Sequence, residues 1–132
     1  MILLDSDLMI DLLRQYPPAV RWLDALDEEE ELLLPGYVVM ELIQGCRNKV
    51  EQKRLQRELA TYGVAWLAPA DCDRALDIFT EYRLSHNAGL LDVLIGQTAV
   101  ALRVPLYTIQ PETLSLCSGI ADHPALRKGN LA

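Results

Sequence analysis

Four short apolar runs, separated by longer segments with helical spacing, set the pattern of this chain. The runs are typical of buried strands and cover residues 2–4, 32–34, 64–67 and 104–108. Between them, apolar residues recur three and four positions apart, as in amphipathic helices. We predict helices across segments 6–13, 17–26, 38–46, 47–62, 71–84 and 91–103. Strands that alternate with helices favour an α/β fold with a mostly parallel sheet of about four to five strands.

Local signals bound several of these elements. Ser6 or Asp7 is expected to cap the first helix, because short polar side chains satisfy the free backbone N–H groups there. Pro17-Pro18 ends that helix and starts the next one. Segment 85–89 combines small and polar residues and is predicted to be a loop.

Length and composition indicate one ordinary globular domain. The chain has 132 residues, of which 51% are hydrophobic, so we expect a single domain over residues 1–132. Segment 115–132 has weak periodicity and receives no predicted element. No apolar stretch approaches the roughly 20 residues that a membrane span needs, and the N-terminus lacks the basic region of a signal peptide. We therefore expect no contact with a membrane.

The cysteines give no sign of a disulfide framework or a zinc site. Cys46, Cys72 and Cys117 are odd in number, widely spaced and outside any C-x-x-C pair. A reducing, cytoplasmic location is therefore expected.

The net charge of −7 argues against a protein that coats duplex nucleic acid, because such proteins are usually basic. It does not argue against a nuclease, whose carboxylates bind divalent cations that invert the local field. The charge is also uneven, and one basic segment could face an anion. Its members are Arg47, Lys49, Lys53, Arg54 and Arg57.

Three acidic residues stand in apolar surroundings. Asp5 directly follows the first strand, Glu41 interrupts the apolar segment 38–43, and Asp92 lies within segment 89–96. Each also has an ordinary structural explanation: Asp5 and Asp92 could cap helices, and Glu41 could lie on a solvated helix face. Ligand sites of parallel sheets lie just beyond the carboxyl ends of the strands, where these acids could meet.

Convergent carboxylates cannot all be ionised without a counter-charge. Mg²⁺ or Mn²⁺ would supply it, since both prefer carboxylate and water oxygens. A cation held in this way can activate water and stabilise in-line attack on a phosphodiester.

The same residues resemble a known family, the PIN domain, and within it the VapC-type toxins of prokaryotic toxin–antitoxin pairs. The segments that carry the resemblance are 3–7, 38–42, 85–86, 91–99 and 105–108. They span nearly the whole chain in the family's order, and the segment around Asp92 is the most specific.

The resemblance implies a Mg²⁺- or Mn²⁺-dependent endoribonuclease that cleaves RNA phosphodiesters. It implies Asp5, Glu41 and Asp92 as metal ligands, with Ser6 and Thr108 as supporting residues. It also implies a homodimer and a cognate antitoxin protein that masks the site.

The chain departs from the family after the last strand. Gln110 stands where the family usually has Asp or Asn, and it brings no charge. Glu112 is a further supporting residue, although Pro111 fixes the backbone beside it. This departure leaves open a second hypothesis, a PIN-fold module that binds RNA or a partner without effective cleavage.

Two further alternatives stay open. The basic segment either contacts RNA phosphates or is a solvated helix face on which Glu51 and Glu58 pair with its cations. Asp5 and Asp7 also fit the D-x-D opening of haloacid-dehalogenase-type phosphatases. That fold needs a Lys and a late acidic pair, which the pattern does not offer, so it is a remote alternative.

Overall fold

The computed structural model describes residues 1–109 and alternates strands with helices. The strands are β1 (Ile2–Leu4), β2 (Leu32–Pro35), β3 (Gly63–Ala65) and β4 (Leu106–Tyr107). The helices are α1 (Ser6–Leu13), α2 (Pro17–Asp24), α3 (Gly36–Gln44), α4 (Lys49–Leu59), α5 (Pro69–His86) and α6 (Leu90–Leu102).

The four strands form one parallel sheet in the order β3-β2-β1-β4. Strand β1 is paired on both sides: Leu3 lies opposite Leu33 of β2 and Leu106 of β4. The chain adds β2 and β3 on one side of β1 and then returns to place β4 on the other. The predicted α/β fold with a parallel sheet is confirmed for the described residues.

The main core lies around β1 and the helices that follow β1 and β2. Leu3, Leu4, Leu8, Leu34 and Ile95 are fully buried in it. A smaller cluster, centred on Ala75, Ala88 and Val93, fills the contact between α5 and α6. Burial of each large aliphatic side chain stabilises the fold by about 1.5–3 kcal/mol, so these clusters fix the helices on the sheet.

Two local predictions were wrong. The residue that caps α1 is Asp5, one position before Ser6, because its side chain accepts a hydrogen bond from the Ser6 backbone. Segment 85–89 is not a loop throughout, since α5 continues to His86. It ends where Asn87 adopts a left-handed conformation (φ 50°), which Asn tolerates better than most residues.

Strand β3 also differs from its predicted range of 64–67. It begins at Gly63 and ends at Ala65, and Trp66 turns towards the start of α3. A Cβ atom added at Gly36 would lie 2.4 Å from the Trp66 ring, so the indole packs directly on the Gly36 backbone. Tyr37 meets the same ring edge-on, with 5.4 Å between centroids.

A second aromatic pair, Trp22 and Tyr107, joins α2 to β4 with 5.3 Å between ring centroids.

Within residues 1–109, no helix is both long and apolar enough to cross a membrane.

Candidate active site

Asp5 lies at the carboxyl end of β1 and is only 4% exposed. One carboxylate oxygen, Oδ1, accepts hydrogen bonds from the Ser6 backbone N–H (2.7 Å) and the Ser6 hydroxyl (3.4 Å). The other, Oδ2, accepts a 2.6 Å hydrogen bond from the Thr108 hydroxyl. Both oxygens of the carboxylate are therefore held in a fixed orientation.

The sheet topology explains why Thr108 reaches Asp5 across 103 residues of sequence. Strand β4 pairs with β1, and the Asp5 N–H donates to the Tyr107 carbonyl at 2.9 Å. The two residues therefore follow neighbouring parallel strands. This is also the place where the strand order reverses, the usual ligand position in open α/β sheets.

Burial opposes ionisation of Asp5. Loss of solvation raises the pKa of Asp5 from 3.8 to about 6, and the negative charges of Asp7 and Asp92 add to the rise. The hydrogen bonds from Thr108 and Ser6 act in the opposite sense but do not cancel it. A carboxylate in this setting favours a nearby cation.

Glu41 and Asp92 lie near Asp5 on two other helices. Glu41 is on α3, Asp92 is in the first turn of α6, and both are half-buried. Burial raises the pKa of both side chains, and the negative charge of Asp7 raises both further. The charge of Asp92 also raises the pKa of Glu41, whereas a hydrogen bond from the Ser6 side chain lowers it. One buried oxygen of Glu41, Oε2, has no hydrogen-bond partner in the described part of the chain. The structure thus brings the three predicted acids into one electrostatic cluster.

Gly89, the residue that precedes α6, leaves room for the Asp92 carboxylate. A Cβ atom added at Gly89 would lie 2.9 Å from Asp92 Oδ2, closer than ordinary van der Waals contact. The carboxylate therefore folds back over the start of its own helix, which any larger residue at position 89 would disturb.

Asp7 belongs to the same cluster, although we did not predict it as part of the metal site. It lies in the first turn of α1, and its charge raises the pKa of Asp5, Glu41 and Asp92 alike. The D-x-D spacing of Asp5 and Asp7 was the available signal. The supporting residues Gln110 and Glu112 lie outside the described residues.

The donor set suits a hard cation that keeps part of its water shell. Within residues 1–109, no three His, Cys, Asp or Glu side chains are arranged to hold a metal ion together. Mg²⁺ commonly retains several waters and takes only one or two protein carboxylates. The unpaired Glu41 oxygen, close to Asp92 and Asp7, fits a site of that kind.

A cavity of about 340 Å³ opens beside Glu41, between α1, α3 and α4. Residues from all three helices line it, including Ile10, Glu41 and Leu55. The basic segment lies on the last of these helices and just before it. Of the acid cluster, Glu41 thus shares a cavity with residues of α4.

Residues 2–108 match the PIN domain family. The chain belongs to this family. The resemblance inferred from the sequence is therefore confirmed, and Asp5, Glu41 and Asp92 all fall within the matched part of the PIN domain.

A curated relative is similar over most of its length. "Ribonuclease VapC10" of Mycobacterium tuberculosis is 36% identical over 110 residues, which cover 83% of this chain and 82% of the relative. This PIN domain is thus similar to a protein named as a ribonuclease.

Solved structures with a similar fold come from toxin–antitoxin complexes. One is a toxin–antitoxin complex from Klebsiella pneumoniae, with a TM-score of 0.72, 22% identity and coverage of 92% of this chain and 97% of that chain. Another is VapBC-1 from nontypeable Haemophilus influenzae, with a TM-score of 0.74, 19% identity and coverage of 91% and 95%. At these identities the likeness supports the PIN fold.

Proposed function

We propose that this PIN domain is a divalent-metal-dependent endoribonuclease of the VapC type, in which Asp5, Glu41 and Asp92 hold the metal ion, one or two of them directly and the rest through waters that the ion retains. The observation that carries the proposal is the convergence of these acids, with Asp7, at the topological switch point of the sheet. The curated relative named as a ribonuclease supports the choice of RNA as the substrate.

Mg²⁺ or Mn²⁺ bound there would supply water activation and charge neutralisation at a phosphodiester. The residues of the chain perform the positioning. Ser6 and Thr108 hold both oxygens of Asp5, so that side chain keeps its orientation when an ion or substrate binds. Gly89 allows Asp92 to lie over the start of α6, and Glu41 presents an oxygen that no described group occupies.

The proposal includes a protein partner and self-association. Similar structures are toxin–antitoxin complexes, one of them bound to a promoter DNA fragment. By that likeness, a cognate antitoxin binds this chain and blocks the acid cluster. The homodimer and the cytoplasmic location expected from the sequence complete the proposal.

The test is cleavage of single-stranded and structured RNA by purified protein free of antitoxin. Reactions would contain Mg²⁺, Mn²⁺ or EDTA, and would compare wild type with Glu41→Gln and Asp92→Asn. We expect cleavage that requires a metal ion and that falls by at least about 100-fold in each variant, as is usual when a group that stabilises developing charge is removed.

Asp77→Asn provides the matched control, because Asp77 is an exposed acid of α5 and its replacement removes one negative charge outside the cluster. If Glu41→Gln and Asp92→Asn were as active as the Asp77→Asn control, the assignment of the site would be refuted. Bound Mn²⁺ without cleavage of any RNA would instead favour the binding module that the Gln110 departure suggested.

A further inference from the structure

The basic residues between positions 47 and 57 fall into two sets that differ in their contacts. All five are exposed. Arg47 and Arg54 each form an ion pair within the α4 region, whereas Lys49, Lys53 and Arg57 form none with any described residue. The two sets should therefore differ in their effect on an approaching anion.

The charges of the paired set are offset locally. Arg47 donates through Nη2 (2.9 Å) and Nε (3.1 Å) to Glu51 Oε1, and its backbone N–H donates to Oε2. Arg54 Nε donates to Glu58 Oε1 at 3.4 Å. Exposed pairs of this kind contribute little to stability, but they place a negative charge next to each guanidinium.

Lys49, Lys53 and Arg57 follow one another at intervals of four residues, so they lie along one face of α4 with about 6 Å between successive members. We call these three residues the cationic face. The side of α4 that packs on the core carries Leu55 and Leu59, so the cationic face points to solvent. A shallow depression of about 380 Å³ adjoins it, lined by Lys53, Gln56, Arg57 and Ala60.

The beginning of α4 lies close to the acid cluster. Only four residues separate α3, which carries Glu41, from α4. The 340 Å³ cavity beside Glu41 is also lined by Glu51 and Leu55 of α4. Glu51 and Leu55 lie on the other side of α4 from the cationic face, and Lys49, at the start of the helix, is the member of that face nearest in the chain to α3 and Glu41.

We propose that the cationic face binds the sugar–phosphate backbone of the RNA strand, and that Arg47 and Arg54 add little to this binding. The inference rests on the proposed nuclease function and specifies how its substrate is held. A chain with a net charge of −7 and four clustered acids repels RNA overall, so attraction must be local. Contacts to phosphates position a strand without reading its bases.

The test measures how RNA affinity depends on salt. A fluorescein-labelled oligouridylate is titrated with protein in EDTA at several salt concentrations from about 50 to 200 mM, in an Asp92→Asn background that prevents cleavage. Lys53→Gln/Arg57→Gln is compared with Arg47→Gln/Arg54→Gln. Each pair removes two positive charges from α4 or the residues just before it, so the net charge is matched.

For single strands, each phosphate contact contributes about −0.7 to the slope of log affinity against log salt. Lys53→Gln/Arg57→Gln should make the slope shallower by about 1.4, and the control pair should leave it within about 0.3 of the background. Circular dichroism spectra that match the background confirm that α4 still folds in both variants.

Equal changes in the two pairs would overturn the proposal, because net charge alone would then explain the binding. No change in either pair would also overturn it, and would favour a protein partner for this face. A failure of the nuclease proposal is distinguishable from both, since it appears as wild-type protein that binds RNA with the predicted slopes and does not cut it.

Discussion

The burial of Asp5 makes a quantitative prediction about stability in the absence of metal. The pKa of Asp5 is 3.8 when exposed and about 6 in the folded chain, a difference that corresponds to about 3 kcal/mol. A carboxyl whose pKa is raised by folding favours the native state below pH 3.8, and this contribution is lost as the pH rises through 6. Asp5→Asn should therefore stabilise the protein at pH 8.

The variant keeps the local contacts. The Asn side-chain oxygen can accept from the Ser6 N–H, and its amide can donate to the Thr108 hydroxyl, so the cap of α1 and the link to β4 persist. We expect the free energy of unfolding to rise by up to about 3 kcal/mol at pH 8 and by less than about 1 kcal/mol at pH 4.

The assay is urea unfolding in EDTA at pH 4 and at pH 8, followed by circular dichroism. Because Glu41 and Asp92 have pKa shifts in the same direction, only the difference between wild type and variant isolates Asp5. Asp77→Asn again controls for the loss of one charge. If Asp5→Asn destabilises at pH 8, or changes stability equally at both pH values, the argument from burial is wrong. Added Mn²⁺ should stabilise wild type at pH 8 and have little effect on the variant.

Three further substitutions test other features. Gly89→Ala should weaken Mn²⁺ binding several-fold, measured by calorimetry, because the added carbon displaces Asp92. Gly45→Ala is the control and should not change the affinity, since its added carbon has its nearest neighbour at 3.5 Å. Gln97→Met should raise the free energy of unfolding by about 1 kcal/mol, because the 2% exposed Gln97 side chain has an oxygen with no described hydrogen-bond partner. Destabilisation would show that the amide is paired. Gln15→Gly should also raise the free energy of unfolding in urea by about 1 kcal/mol, because the backbone of Gln15 has a left-handed φ of 56° that glycine adopts without strain. Unchanged stability would contradict strain at that position.

The sequence predicted the sheet and its acids because both depend on local pattern. Buried parallel strands are nearly continuous apolar runs, so an acid that directly follows one, as Asp5 does, stands out. Glu41 and Asp92 were visible for a similar reason, as charges within apolar segments. Their proximity followed from a general property of parallel sheets, that sites lie beyond the carboxyl ends of the strands.

Features that depend on helix phase and tertiary contact were not predictable in the same way. Whether Asp7 faces the cluster or solvent depends on where α1 begins, and that was set by the Asp5 cap rather than by Ser6. Strand β3 is an edge strand with exposed Gly63 and Val64, so burial gave no signal for its bounds. Glu51 and Glu58 were visible in the sequence as partners for the basic segment, but only the side-chain geometry shows that they pair with Arg47 and Arg54.

The stacking of Trp66 on Gly36 gives the protein a built-in optical reporter. The indole covers the first residue of α3, the helix that carries Glu41, and the other tryptophan, Trp22, packs on Tyr107 at the far side of the sheet. Trp22→Phe would leave one emitter, at the entrance to α3. Its emission would then follow any movement of that helix against β3 when a cation, RNA or an antitoxin binds, without an added label.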